Sequence, residues 1–89
     1  MLKNIVKLES DLMQEVIAHE GVDREMANYY AQDRNDVIQS RELYNDGKIA
    51  DLKKHVDYLD TCIRDGVVMA FVADLGNDWV YNNLGYEVR

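Results

Sequence analysis

Two lines of side chains in this sequence carry the residue types that chemistry needs. Asp11, Glu15 and His19 recur at four-residue steps, so a helix would set two carboxylates and an imidazole along one face. Metal sites in helical bundles use such inward-pointing groups, but as Glu-x-x-His sets supplied by several helices. Here the spacing is Glu-x-x-x-His, and no other segment repeats it. A solvated face ending in a histidine, whose protonated form is favoured near a helix C terminus, accounts for the same residues. Asp51, His55, Tyr58 and Cys62 form the second line. On one continuous helix His55 and Cys62 are separated by about 10 Å of rise. A thiol and its base must meet at roughly 3 Å, so they are not a catalytic pair. The sequence contains no Gly-rich phosphate loop, CxxC pair, HExxH or Ser-His-Asp set. The expectation is a protein that is not an enzyme, with no catalytic residue, metal or cofactor.

What remains is charge and tyrosine. Seventeen acids against ten bases give a net charge of −7, which opposes direct binding to nucleic acid or anionic lipid, because phosphate contacts need clustered Lys and Arg. Carboxylates at i,i+4 repeat about every 6 Å along a helix, a ladder of negative points that a basic nucleic-acid groove accepts in place of phosphates. In the first segment Lys3 and Lys7 precede Glu15 and Glu20, the reverse of what the helix macrodipole favours. Selection for stability alone would tend to invert that order. Six of the eight aromatics are tyrosines, a residue that offers contact area with a polar tip, so Tyr29, Tyr44, Tyr58 and Tyr81 are interface candidates. The expectation is a non-enzymatic acidic interaction protein in which Asp11, Glu15, Glu25, Tyr29, Asp33, Asp36 and Tyr44 contact a basic protein partner. Its sharper form is a DNA-mimic-like inhibitor or modulator of a nucleic-acid-processing machine, of the anti-defence type that phages and mobile elements encode. The alternative is a self-associating structural or regulatory helical module, a homodimer that completes an apolar face across a two-fold axis.

These residues must be positioned by a chain of 89 residues with no proline and five glycines, where average usage is about 5% and 7%. All-β folds need Gly/Pro-rich turns that this chain lacks. Leu2, Ile5, Val6, Leu12, Met13, Val16 and Ile17 recur at the helical period and predict a helix from about 2 to 20, closed by Gly21. Asp23 is placed to cap a second helix running to about 45, with Met26, Tyr30, Val37, Ile38, Arg41 and Tyr44 along one face. Ile49, Leu52, Val56, Leu59 and Ile63 form a third amphipathic stripe, too short for a coiled-coil seam and therefore intramolecular core, with Asp60 and Arg64 spaced to pair.

Asp65-Gly66 then interrupts the pattern, and Val67 to Ala73 is apolar on all sides. We read this run as a short buried helix that Asp65 could cap. Asn77 or Asp78 is placed to cap a last short helix ending at Gly85, and residues 86 to 89 alternate as an extended tail. The fold expected is a single all-α domain over 1–89: three amphipathic helices around a buried apolar fourth, with a C-terminal cap. The alternative is α+β, with a hairpin from about 67 to 88. The lone Cys62, the amphipathic opening and an apolar run far short of the roughly 20 residues a bilayer needs make the cytoplasm the expected location. The opening Met1-Leu2-Lys3-Asn4, with Lys7-Leu8, resembles the start of the theta subunit of bacterial DNA polymerase III, but stops at Leu8 and carries no site residue.

Overall fold

Residues 2–88 are described by a computed structural model; Met1 and Arg89, the last residue of the expected tail, lie outside them. Among the described residues five helices follow one another: α1 (Lys3–His19), α2 (Arg24–Asn45), α3 (Ile49–Tyr58), α4 (Thr61–Leu75) and α5 (Asn77–Leu84). No strand occurs among the described residues, so the fold is all-α and the hairpin alternative is excluded. Among the described residues no helix is long and apolar enough to cross a membrane.

The uncertain stretch around Gly66 resolves into a continuous helix. Gly66 and Val67 to Ala73 all lie inside α4, and Asp65 is an interior residue of that helix rather than its cap. The interruption expected at Asp65-Gly66 falls instead at Leu59–Asp60, where both residues turn extended, with ψ of 150° and 149°. The third stripe therefore spans two helices. Leu52, Val56, Leu59 and Ile63 are nonetheless all buried, because the bend turns the chain without taking either segment off the same core. Asp60 and Arg64 do not form the expected pair: Asp60 sits at the N-cap of α4, and the Arg64 guanidinium lies 6.0 Å from the centre of the Tyr86 ring.

Phe71 is fully buried at the centre, with Val67 from its own helix and Ile5, Val37, Leu52, Val56, Val80 and Leu84 from the others. Tyr44 and Trp79 close one side, their rings 6.0 Å and 6.1 Å from Phe71 and 5.5 Å from each other. The Asp23 side chain accepts from the Met26 N–H, as expected of a cap. One other end is held differently from expectation, and the start of α1 is held by a residue far along the chain. Asn77 and Asp78 do not cap α5; Gly76, at φ +97° between α4 and α5, occupies that position, a conformation that disfavours any side chain. The free amides of α1 are capped from a distance by Asp74 of α4, which accepts from the Asn4 N–H at 2.8 Å, the Asn4 side chain at 2.9 Å and the Ile5 N–H at 3.1 Å. Burial pushes the Asp74 carboxyl upward, but these bonds outweigh it and hold it below its ordinary value.

The buried face of α1 is narrower than its hydrophobic pattern. Leu2, Ile5 and Leu12 enter the core, whereas Val6, Met13 and Ile17 remain exposed. On α2 the buried positions are Ala27, Asp33, Val37 and Ser40, so Met26, expected on the inner face, lies outside it. The tail does alternate, with Tyr86 and Val88 half-buried against the core and Glu87 exposed. Tyr86 donates its hydroxyl proton to Asp57, which Lys53 also holds at 2.9 Å. Burial and that bond push the Tyr86 hydroxyl up to about 12.

Candidate functional site

The acids of the chain divide according to what surrounds them. Glu9, in the middle of α1, is half-buried and lies between two arginines of α2, 2.8 Å from Arg41 and 3.8 Å from Arg34. Its charge is compensated within the fold, and the pair clasps α1 to α2. Asp33, Asp36 and Asp60 have no such partner: among the described residues none of them forms an ion pair with Lys or Arg.

These three carboxylates come together where α2 meets the bend between α3 and α4. Asp33 is buried on α2. Burial raises its carboxyl above the ordinary range, and the charges of Asp36 and Asp60 raise it further. Asp36, one turn on, is also raised, by burial first; the charge of His55 and a hydrogen bond from Gln32 oppose the shift, and Asp60 adds to it. His55 of α3 fixes the junction, its Nε2 lying 3.0 Å from the Asp36 carbonyl oxygen. Since that oxygen can only accept, Nε2 must carry the proton. The Ser40 hydroxyl donates to the same carbonyl at 2.9 Å. Tyr29, one turn before Asp33 and half-exposed, has its hydroxyl raised, chiefly by the Asp33 charge. The N terminus of α4, with Asp60 at its cap and Cys62 exposed in its first turn, completes the cluster. Its free amides are the positive end of a helix dipole.

The candidate residues from the sequence are thus separated in space. Glu25, Tyr29, Asp33 and Asp36 follow one side of α2 at steps of four, four and three, and Tyr29, Asp33 and Asp36 lie in the field of Asp60 at the α3–α4 bend. Asp11 and Glu15 are exposed on α1. Tyr44 is half-buried, with its ring against Phe71 and Trp79. Tyr58 and Tyr81 are exposed, Tyr58 by 90%.

The first line of chemistry-bearing residues is local. His19 lies 3.5 Å from Glu15 and stacks on Tyr30 with ring centres 5.5 Å apart. No group of three metal-ligating side chains comes together among the described residues. The second line is broken by the bend, which puts His55 and Cys62 on different helices, so the single-helix distance argument does not apply to them. His55 is held by Asp36 instead. Sequence reasoning missed Asp60 and His55 as members of the acidic surface, because Asp60 reaches it through the turn at Leu59–Asp60 and His55 through the packing of α3 on α2. The surface concavities are shallow and open; one follows Val16, Glu20 and Gly21 against Arg24, Ala27, Asn28 and Ala31. No protein-family model, curated protein or solved structure matches this chain.

Proposed function

We propose that the protein is a non-enzymatic interaction module whose acidic α2 surface, Glu25, Tyr29, Asp33 and Asp36 with Asp60 beside them, receives a basic surface of a partner protein. The observation that carries this reading is that Asp33 and Asp36 sit in the field of Asp60, their carboxyls raised by burial first and then by neighbouring negative charge, while none of the three has a Lys or Arg ion pair among the described residues. Such an arrangement costs stability in the free chain, and an incoming guanidinium or ammonium group relieves the repulsion. Tyr29 adds half-exposed aromatic area at the edge of the charge. Asp11 and Glu15, with the net charge of −7, extend the field that steers a cationic partner. A nucleic-acid-binding protein is the partner class that fits, since its Lys/Arg-lined groove already accepts closely spaced negative charge.

The test is capture from host lysate with the wild-type chain and with an Asp33→Asn/Asp36→Asn variant, at low and high salt and with competing DNA. The expected result is a basic, nucleic-acid-binding protein that wild type retains, the variant loses, and both high salt and DNA release. If both chains capture the same proteins, the acidic surface is not the binding surface. If DNA does not compete, the partner's nucleic-acid groove is not what docks.

A further inference from the structure

The uncovered side of α1 carries a pattern of its own. Lys3, Val6, Ser10, Met13, Ile17 and Glu20 advance by steps of three, four, three, four and three, and all six are exposed. That is the a/d spacing of a heptad seam. At 3.6 residues per turn the six lie in a band about 100° wide. Val6 is 48% exposed, Met13 38% and Ile17 53%, so three large apolar side chains face water in a row while the helix packs on α2 and α4 along another side, where Ile5 and Leu12 are buried.

The pattern is symmetric about its midpoint, between Asp11 and Leu12. Positions 3 and 20, 6 and 17, and 10 and 13 are mirror pairs about that point. Two antiparallel copies of α1 related by a two-fold axis there bring Val6 level with Ile17 of the second copy and Ser10 level with its Met13. Lys3 comes level with Glu20 of the second copy at both ends. Apolar meets apolar in the middle, the small Ser10 leaves room for Met13, and cation meets anion at the rims. A parallel arrangement would set Lys3 on Lys3 and Glu20 on Glu20. The same pairing explains why the charges of α1 oppose its own dipole: each basic N-terminal turn then lies beside an acidic C-terminal end.

We infer that this band is the interface of a two-fold symmetric homodimer, on a different face from the acidic surface of α2. The seam spans about 25 Å, short for an interface, so association belongs in the micromolar range rather than below it.

Sedimentation equilibrium across the micromolar range tests it. Wild type should be a dimer at the upper end and a monomer at the lower. Ile17→Glu should weaken association by about tenfold or more, with helicity by circular dichroism unchanged because the residue is exposed. Lys3→Glu and Glu20→Lys should each weaken it by about fivefold, and the combined variant should recover it. Orientation is read in a Cys62→Ser background: a Val6→Cys copy should cross-link to an Ile17→Cys copy and not to itself, since two Val6 positions sit about 16 Å apart in the antiparallel pair. Salt should release a basic partner and weaken the dimer only by the few-fold that its exposed Lys3–Glu20 pairs supply, since Val6, Met13 and Ile17 hold its centre. A wild type monomeric throughout, a dimer indifferent to Ile17→Glu, or Val6→Cys self-cross-linking would each overturn the inference.

Discussion

Glu9 and Asp33 are both carboxylates on the inner sides of adjacent helices, and they do opposite work. Glu9 lies between Arg34 and Arg41, so its charge holds α1 to α2. Asp33 is buried with no cation beside it and in the field of Asp36 and Asp60, so its charge strains the junction it occupies. A count of acids treats the two as equal; the cations within reach distinguish them. Compensated acids belong to the fold, and acids crowded without compensation mark the surface where an outside cation would be stabilised.

Substitution at the two sites should therefore move stability in opposite directions. Glu9→Gln leaves Arg34 and Arg41 partly buried without their anion and should cost about 1–3 kcal/mol, seen as a lower urea midpoint, with capture of a basic partner unaffected. Asp33→Asn removes a raised, repelled charge at nearly constant shape. It should raise the midpoint while weakening partner capture. Equal losses at both sites would erase the distinction.

Gly66 tests the frame on which the acidic junction stands. It is interior to α4, and a Cβ there would meet Leu8 Cδ2 at 3.7 Å, ordinary van der Waals contact. Gly66→Ala should thus stabilise by about 0.5–1 kcal/mol, the usual helix-interior penalty of glycine, measured by the same denaturation. A loss instead would mean that α4 needs flexibility at this point to seat its N terminus beside Asp33 and Asp36.

The sequence made the helices legible where glycine or a capping acid punctuates them. Gly21, Gly47, Gly76 and Gly85 all take positive φ, and Asp23 caps α2. It hid the turn at Leu59–Asp60 because neither residue is a breaker and because Leu59 and Ile63 stay buried on either side, so the hydrophobic stripe runs on as though the helix did. The same turn places Asp60 at the acidic surface, whereas His55 reaches it by the packing of α3 on α2, a contact that no local pattern shows. Asp74 as the cap of α1 was equally hidden, since acceptor and donors lie about seventy residues apart. The exposed band of α1 was visible as hydrophobic period but not as exposure, because a helix with apolar residues over a wide arc does not declare which edge its neighbours cover.

Acid titration separates compensated from uncompensated carboxylates within one molecule. Asp33 and Asp36 have folded-state carboxyls raised above the ordinary 3.8, chiefly by burial. Between that value and their raised ones the folded chain binds more protons than the unfolded chain, so stability rises as pH falls through this window. Asp57, held down by the Tyr86 hydroxyl and then by Lys53, and Asp74, held down by the α1 amides against the upward push of burial, have the opposite sign. Their contribution is complete above 3.8 and is lost as pH falls through their lowered values. Thermal melts from neutral to strongly acidic pH should therefore pass through a maximum on the acid side before falling. In Asp33→Asn/Asp36→Asn the rise should flatten while the fall remains. In Asp74→Asn the rise should remain while the fall becomes shallower. A wild-type curve that only declines with acid would mean that burial and the neighbouring charges destabilise the Asp33 and Asp36 carboxylates too little to reward a cationic partner, and the acidic surface would lose its energetic reason to bind one.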